Sequence, residues 1–196
     1  DGDYEVCILG NRSVWAFHHD GTPVRNAGAI RTLPESDGSY MYGGIGLADV
    51  YDGGTPGAEE IIFLSRIVTT DTGGSLFILD AQGNDIPGFP YRFLDEGYRH
   101  TNSNSSPAIA DLVPEPGVGS SPLGEVIVTT REDIFAFDPQ GSADPLLWTR
   151  PLIFWDWDGG DVNASHAIGD IDPGENGGGL EVVVPGGRVG SSQTPQ

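Results

Sequence analysis

Apolar residues along this chain come in short runs closed by glycine, proline and acidic turns, without the sustained 3.6-residue period of a long helix. "EVCIL", "SVWAF", "EIIFL", "SLFIL", "EVIV", "DIFAF" and "EVVV" each predict a strand of four to six residues. They fall into pairs. "EVCILGNRSVWAFHHDGT" (Glu5 to Thr22) aligns without a gap on "EVIVTTREDIFAFDPQGS" (Glu125 to Ser142): a Glu, an apolar strand, a polar turn, a second strand, a glycine turn. A third copy runs from "EIIFLS" at Glu60 to "SLFILDAQGN" at Asn84, with "TTDTGG" in a longer connection. A fourth begins with "EVVVPGG" at Glu181 and stops before its second strand.

The stretch ahead of each Glu repeats too. "GIGLADV", "SPAIADL" and "SHAIGDI" each set an Asp one residue before an apolar residue, and the first copy has no such stretch. After the glycine turn, "DIPGFPYRF" and "DPLLWTRPL" predict a further strand. Glu5, Glu60, Glu125 and Glu181 therefore mark one structural position, recurring at roughly 55 to 65 residues. The unit reads strand, acidic loop, strand, turn, strand, glycine turn, strand, which is the make-up of a four-stranded propeller blade. The expectation is an all-β repeat domain over 1–196, with approximate repeats 1–40 (partial), 41–100, 101–160 and 161–196 (partial): about three full blades plus partial ones.

Composition narrows the partners. The 196 residues include 30 Gly and 15 Pro, and 29 acidic residues face nine basic ones, all Arg, for a net charge of -20. Nucleic acid is excluded as a partner by the missing basic footprint. No run approaches the roughly 18 apolar residues of a helical membrane span. The acidity fits calcium ligation, the solubility of a secreted protein or a high-salt habitat. The chain opens at Asp1 with no signal-peptide pattern, which suggests a removed leader or a piece of a longer chain. Cys7, the only cysteine, lies in an apolar run and reads as a buried, inert thiol. The motifs of serine hydrolases, zinc peptidases, phosphate loops and thiol redox proteins are absent, which argues against an enzyme.

The in-register segments "SSPAIADL", "GEVIVTT", "DIFAFDPQGS", "SLFILDAQGNDIPGFP", "HAIGDIDPGENGGGLEVVV" and "DGDYEV" resemble the FG-GAP/VCBS-type repeat family of β-propellers over almost the whole chain. That resemblance implies a propeller built from such blades, a fold that serves adhesion receptors, lectins, lyases and quinoprotein-like enzymes. It also implies calcium in the loop before each repeated Glu, where the family carries alternating Asp and Gly.

Calcium takes six to eight oxygens, so each loop is judged by the oxygens it supplies. "DIDPGENGGGLE" is the fullest, with Asp170, Asp172, Glu175, Asn176 and Glu181. The opening "DGDYE" supplies Asp1, Asp3 and Glu5. "ADVYDGGTPGAEE" supplies Asp49, Asp52, Glu59 and Glu60 but has Tyr51 where the second Asp belongs, and the proline-broken loop after Asp111 keeps only Glu115 and Glu125. Against metal stands a plainer role, in which the Asp accepts loop amides and fixes a turn. In "FWDWDGGDVNASH", Trp155 and Trp157 with Asp158 and His166 fit either a strand with one buried face or an aromatic platform for a sugar ring. His18 and His19 are expected exposed at a hairpin turn.

The function expected from this is a secreted or cell-surface module with a structural or adhesive binding role toward a glycan or protein, some loops braced by calcium. Two alternatives stay open: a fragment of a carbohydrate-active enzyme of polysaccharide-lyase or quinoprotein type, and a subunit that self-associates head to tail through its incomplete terminal repeats.

Overall fold

The computed structural model describes residues 5–25, 28–34, 40–41, 43–53, 57–66, 74–93, 106–112, 123–130, 133–140, 143–151, 165–169, 171 and 180–184. Within them the protein is all-β, with no helix, and its strands form four small antiparallel sheets.

The third sheet shows the plan most simply. Strands β9 (Ala108–Ala110), β10 (Glu125–Thr129), β11 (Asp133–Phe137) and β12 (Leu146–Pro151) pair in sequence order, each antiparallel to the next. The second sheet repeats this with β6 (Glu60–Arg66), β7 (Gly74–Leu79) and β8 (Tyr91–Arg92). Its leading line is split in two: β5 (Gly46–Ala48) pairs with the first half of β6 and β4 (Tyr40–Met41) with its end. The first sheet has β1 (Glu5–Leu9), β2 (Ser13–His18) and β3 (Arg31–Thr32), and the fourth has β13 (Ala167–Gly169) and β14 (Glu181–Val183). The register agrees with the repeats: Val6 faces Phe17, Ile61 faces Leu79 and Val126 faces Phe137.

Local chemistry closes the second hairpin of the first three units the same way. Asp20, Asp80 and Asp138 each accept the backbone N–H two residues on, from Thr22, Gln82 and Gln140, so a carboxylate substitutes for a backbone acceptor. Asp80 also takes the Asn84 amide. Gly83 in that turn has φ 80°, and a Cβ there would lie 2.6 Å from the Ile30 carbonyl oxygen. Only glycine supplies both the left-handed backbone and the close approach to the first sheet.

Side chains alternate across each strand, so each sheet has two faces. Cys7, Leu9, Val14 and Ala16 of the first sheet pack on Ile61, Phe63, Phe77 and Leu79 of the second. The opposite face of the second, with Ile62, Leu64, Leu76 and Ile78, packs on Val126, Val128, Phe135 and Phe137 of the third. The far face of the third, with Ile127, Ile134 and Ala136, meets Ile168, Val182 and Val184 of the fourth. The sheets thus stack in chain order, a forward face always against the next back face. This explains why β7 and β10 are buried at every position and read as unbroken apolar runs.

The leading strands lie side by side, β5 beside β9 and β9 beside β13. Small residues allow this. A Cβ on Gly44 would lie 1.9 Å from Ser106 Oγ, and the Ser106 amide donates to Ser165 Oγ one unit further on. Arg31 pairs with Asp85 at 2.8 Å, tying the first sheet to the turn of the second.

Candidate functional site

The repeated Glu opens the second strand of each unit, at the root of the acidic loop, where its backbone pairs with the last residue of the leading strand: Glu60 with Ala48, Glu125 with Ala110, Glu181 with Gly169. From there its carboxylate reaches back across the loop mouth. Glu60 Oε2 accepts the Val50 amide at 2.8 Å, Glu125 Oε2 the Leu112 amide at 2.5 Å, and Glu181 Oε2 the Ile171 amide at 2.8 Å. Three units thus carry one device, a carboxylate clamp on the second residue after the leading strand. Among the described residues, the Glu accepts a loop amide, the kind of role foreseen for the Asp.

Burial of the clamp is deepest at Glu60, which is 1% exposed. Loss of water there pushes its carboxyl above the ordinary carboxylate range, and the neighbouring Asp49 adds to the rise. The Val50 and Tyr51 amides oppose it. Tyr51, which occupies the place of the second Asp, packs its ring against the core between the second and third sheets. The other side of Val50 is held as well. Gln140, in the turn of the third sheet, donates from Nε2 to the Val50 carbonyl at 3.0 Å, and its Oε1 lies 3.5 Å from the Asp52 amide. The loop root of one unit is therefore gripped from inside by its own Glu and from outside by the next unit's Gln. Gln140 was not singled out in the sequence, although "DPQGS" and "DAQGN" share a Gln at the same turn position.

Of the predicted ligand residues, Asp1, Asp3, Asp170, Asp172, Glu175 and Asn176 lie outside the described residues, as do Trp155, Trp157 and Asp158. Glu5 holds no loop amide among the described residues; its Oε1 lies 3.5 Å from His18 Nδ1. His18 ends β2 and is half-buried, whereas His19 is exposed in the turn. His166 does not present itself to solvent. It is buried, with Nε2 2.8 Å from the Ile127 carbonyl and Nδ1 without a partner, and loss of water lowers its pKa against a weaker upward pull from that carbonyl. Cys7 is half-buried against the first core, its thiol pushed up by burial and then by Glu5 and Glu59, which suppresses the reactive thiolate.

The fit to calcium differs between loops. Asp49, Asp52 and Glu60 do not gather: among the described residues no three Asp, Glu, His or Cys side chains form a group able to hold a metal ion. Glu60 commits Oε2 to the Val50 amide and is shielded from water. In the fourth unit Glu181 is the only described member of the predicted set, and it clamps the Ile171 amide.

No family model matches the chain, and no curated protein or solved structure matches it either.

Proposed function

We propose that the four sheets are successive blades of a β-propeller of the FG-GAP/VCBS type, and that the protein is a secreted or cell-surface binding module. One observation carries this: three loop roots are fixed by the same Glu clamp, on units whose leading strands lie side by side. Such an arrangement sets a row of loops with different sequences on one rigid frame, the design by which a scaffold presents variable contacts. Meanders of strands in sequence order, stacked face to face, support the blade assignment. The ligand proposed is a glycan or a protein. Calcium is proposed only for the loop from Asp170 to Glu181, the one with the fullest set of oxygens.

Glycan-array binding of the whole chain, followed by calorimetric titration of the hits, tests the ligand. Saturable binding to a defined class is expected. Turnover of a polysaccharide to unsaturated products without stable binding would replace the module by a lyase. For the metal, melting with calcium is compared with melting in chelator: a rise in melting temperature is expected, because an ion bound only to the folded state stabilises it. Equal curves at saturating calcium remove it.

A further inference from the structure

Three of the seven asparagines open a tripeptide Asn-x-Ser in which x is not proline: Asn11-Arg12-Ser13, Asn104-Ser105-Ser106 and Asn163-Ala164-Ser165. Ser and Thr together are 25 of the 196 residues, so composition alone would give about one such tripeptide. The pattern is the acceptor sequence for N-linked glycosylation of exported chains. Asn104 and Asn163 lie outside the described residues, whereas Asn11, Ser13, Ser106 and Ser165 lie within them.

The topology brings the described members to one end of the sheets. Asn11 stands in the turn between β1 and β2, at the end of β1 away from Glu5. Its carbonyl accepts the Met41 amide at 3.0 Å, and Met41 pairs with Ser65, near the end of β6 away from Glu60. Ser106 and Ser165 each sit two residues ahead of a leading strand whose last residue pairs with the clamping Glu125 or Glu181. They too lie at the end away from the clamps, where the Ser106 amide donates to Ser165 Oγ.

Asn11 is exposed, and its carboxamide has no partner among the described residues. The backbone around it is held. The Gly10 amide donates to the Ser13 carbonyl at 2.7 Å, and Arg12 Nη2 donates to the Leu33 carbonyl at 2.8 Å. A sugar on Asn11 Nδ2 therefore breaks no bond of the fold. Sheets stack here face to face, whereas this turn is at a strand end, so its exposure does not depend on what stacks against the first sheet.

We propose that Asn11 is an N-glycosylation site whose glycan shields the end of the sheets opposite the clamped loops. The donor class is a lipid-linked oligosaccharyl pyrophosphate. Asn11 Nδ2 bonds to the anomeric carbon of the first sugar, the bond from that carbon to the pyrophosphate oxygen breaks with its electron pair leaving on the phosphate, and Nδ2 gives up a proton to the transferase. The five residues of β1 put the glycan about 17 Å from the loop end, at about 3.3 Å per residue, so it leaves the loops open to a ligand. The inference rests on the secreted or cell-surface reading, because the transfer accompanies export.

Tryptic peptide mapping by mass spectrometry tests it, because the peptide ending at Arg12 contains no other asparagine. The whole chain is secreted from a glycosylating eukaryotic cell behind a cleavable signal, and is also recovered from its natural producer. A glycan is expected on that peptide in both, and N-glycosidase is expected to remove it from the eukaryotic product and leave an aspartate. Asn11→Gln and Ser13→Ala are expected to lose this glycan, and Ser13→Thr to keep it. A secreted chain with Asn11 bare, or a glycan persisting on the peptide in Asn11→Gln, would overturn the proposal and leave the secreted reading standing. A chain found bare and only inside its natural producer would overturn both.

Discussion

The hairpins β1–β2 and β10–β11 are nearly the same sentence written twice, "EVCIL…SVWAF" and "EVIVT…DIFAF", with the same antiparallel register. Their fates differ. Every residue of β10 is buried, because the third sheet has a neighbour on each face; among the described residues β1 has a neighbour on one face only, and Val6 and Ile8 are exposed. In this chain, then, burial belongs to the stack rather than to the strand. A strand's own sequence sets which residues alternate, and the adjoining sheets set which alternation is worth stabilisation.

The largest expected effect breaks that contrast from the inside. Phe77 stacks on Phe63 with ring centroids 5.1 Å apart and is fully buried. Phe77→Ala removes it and leaves a cavity, at an expected cost of about 3–5 kcal/mol by urea denaturation. Trp15→Ala at the matching position of the first sheet, where the side chain is 37% exposed, is expected to cost clearly less than Phe77→Ala in dilute solution. Equal costs would show that the faces do not differ as described.

Next come the clamps. Glu60→Ala leaves the Val50 amide without its acceptor in a buried place, costing about 1–3 kcal/mol. Glu5→Ala removes a half-exposed contact with His18 and is expected to cost less than about 0.5 kcal/mol. Glu60→Gln keeps an acceptor and separates hydrogen bonding from charge. The folded-state pKa of Glu60 is raised, so its favourable share of stability is complete below the unfolded value and fades as pH rises through the folded one. Glu60→Gln should therefore flatten stability against pH above about 4.5 and hold or slightly raise it at neutrality.

A third experiment moves the third sheet toward the condition of the first. His166 sits at the junction of the third and fourth sheets and is held neutral by burial. Its folded pKa is lowered, so its contribution is present above the unfolded value, about 6.5, and is lost as pH falls below it. Hydrogen exchange of the β13 and β14 amides is expected to speed up under mild acid, with His166→Gln removing most of that acid sensitivity. The smallest effect separates two turns of like sequence. Gln140→Ala is expected to cost about 0.5–1.5 kcal/mol by loss of its bond to the Val50 carbonyl. Gln82→Ala, at the equivalent exposed position, is expected to cost close to nothing.

Much of this fold is legible in the sequence. Repetition located β1, β2, β6, β7, β10, β11 and β14, and the "ADV", "ADL" and "GDI" stretches located the ends of the leading strands, because period-two apolar runs and turn residues are local signals. The split of β4 from β5 was not legible: nothing near Gly43 announces that two short strands share one partner. Of the site, the recurrence of Glu was plain and its partner was not. A carboxylate directly ahead of an apolar run must find donors as it is buried, a requirement that could have pointed to the clamp. Which amide it takes depends on how the loop folds back. Gln140 and His166 act on neighbouring units, and contacts between sheets leave no periodic trace in a single strand.

The clamp joins residues 10 apart in the second and fourth units and 13 apart in the third, yet the bond and the strand register around it are the same. Loop closure grows only logarithmically with length, so the three extra residues cost on the order of 0.2 kcal/mol. Each clamped root is thereby a socket indifferent to the length of what is plugged into it. Foreign segments could be grafted between Leu112 and Glu125 while the framework stays unaltered, and divergence among natural loops would be free to proceed by insertion as readily as by substitution.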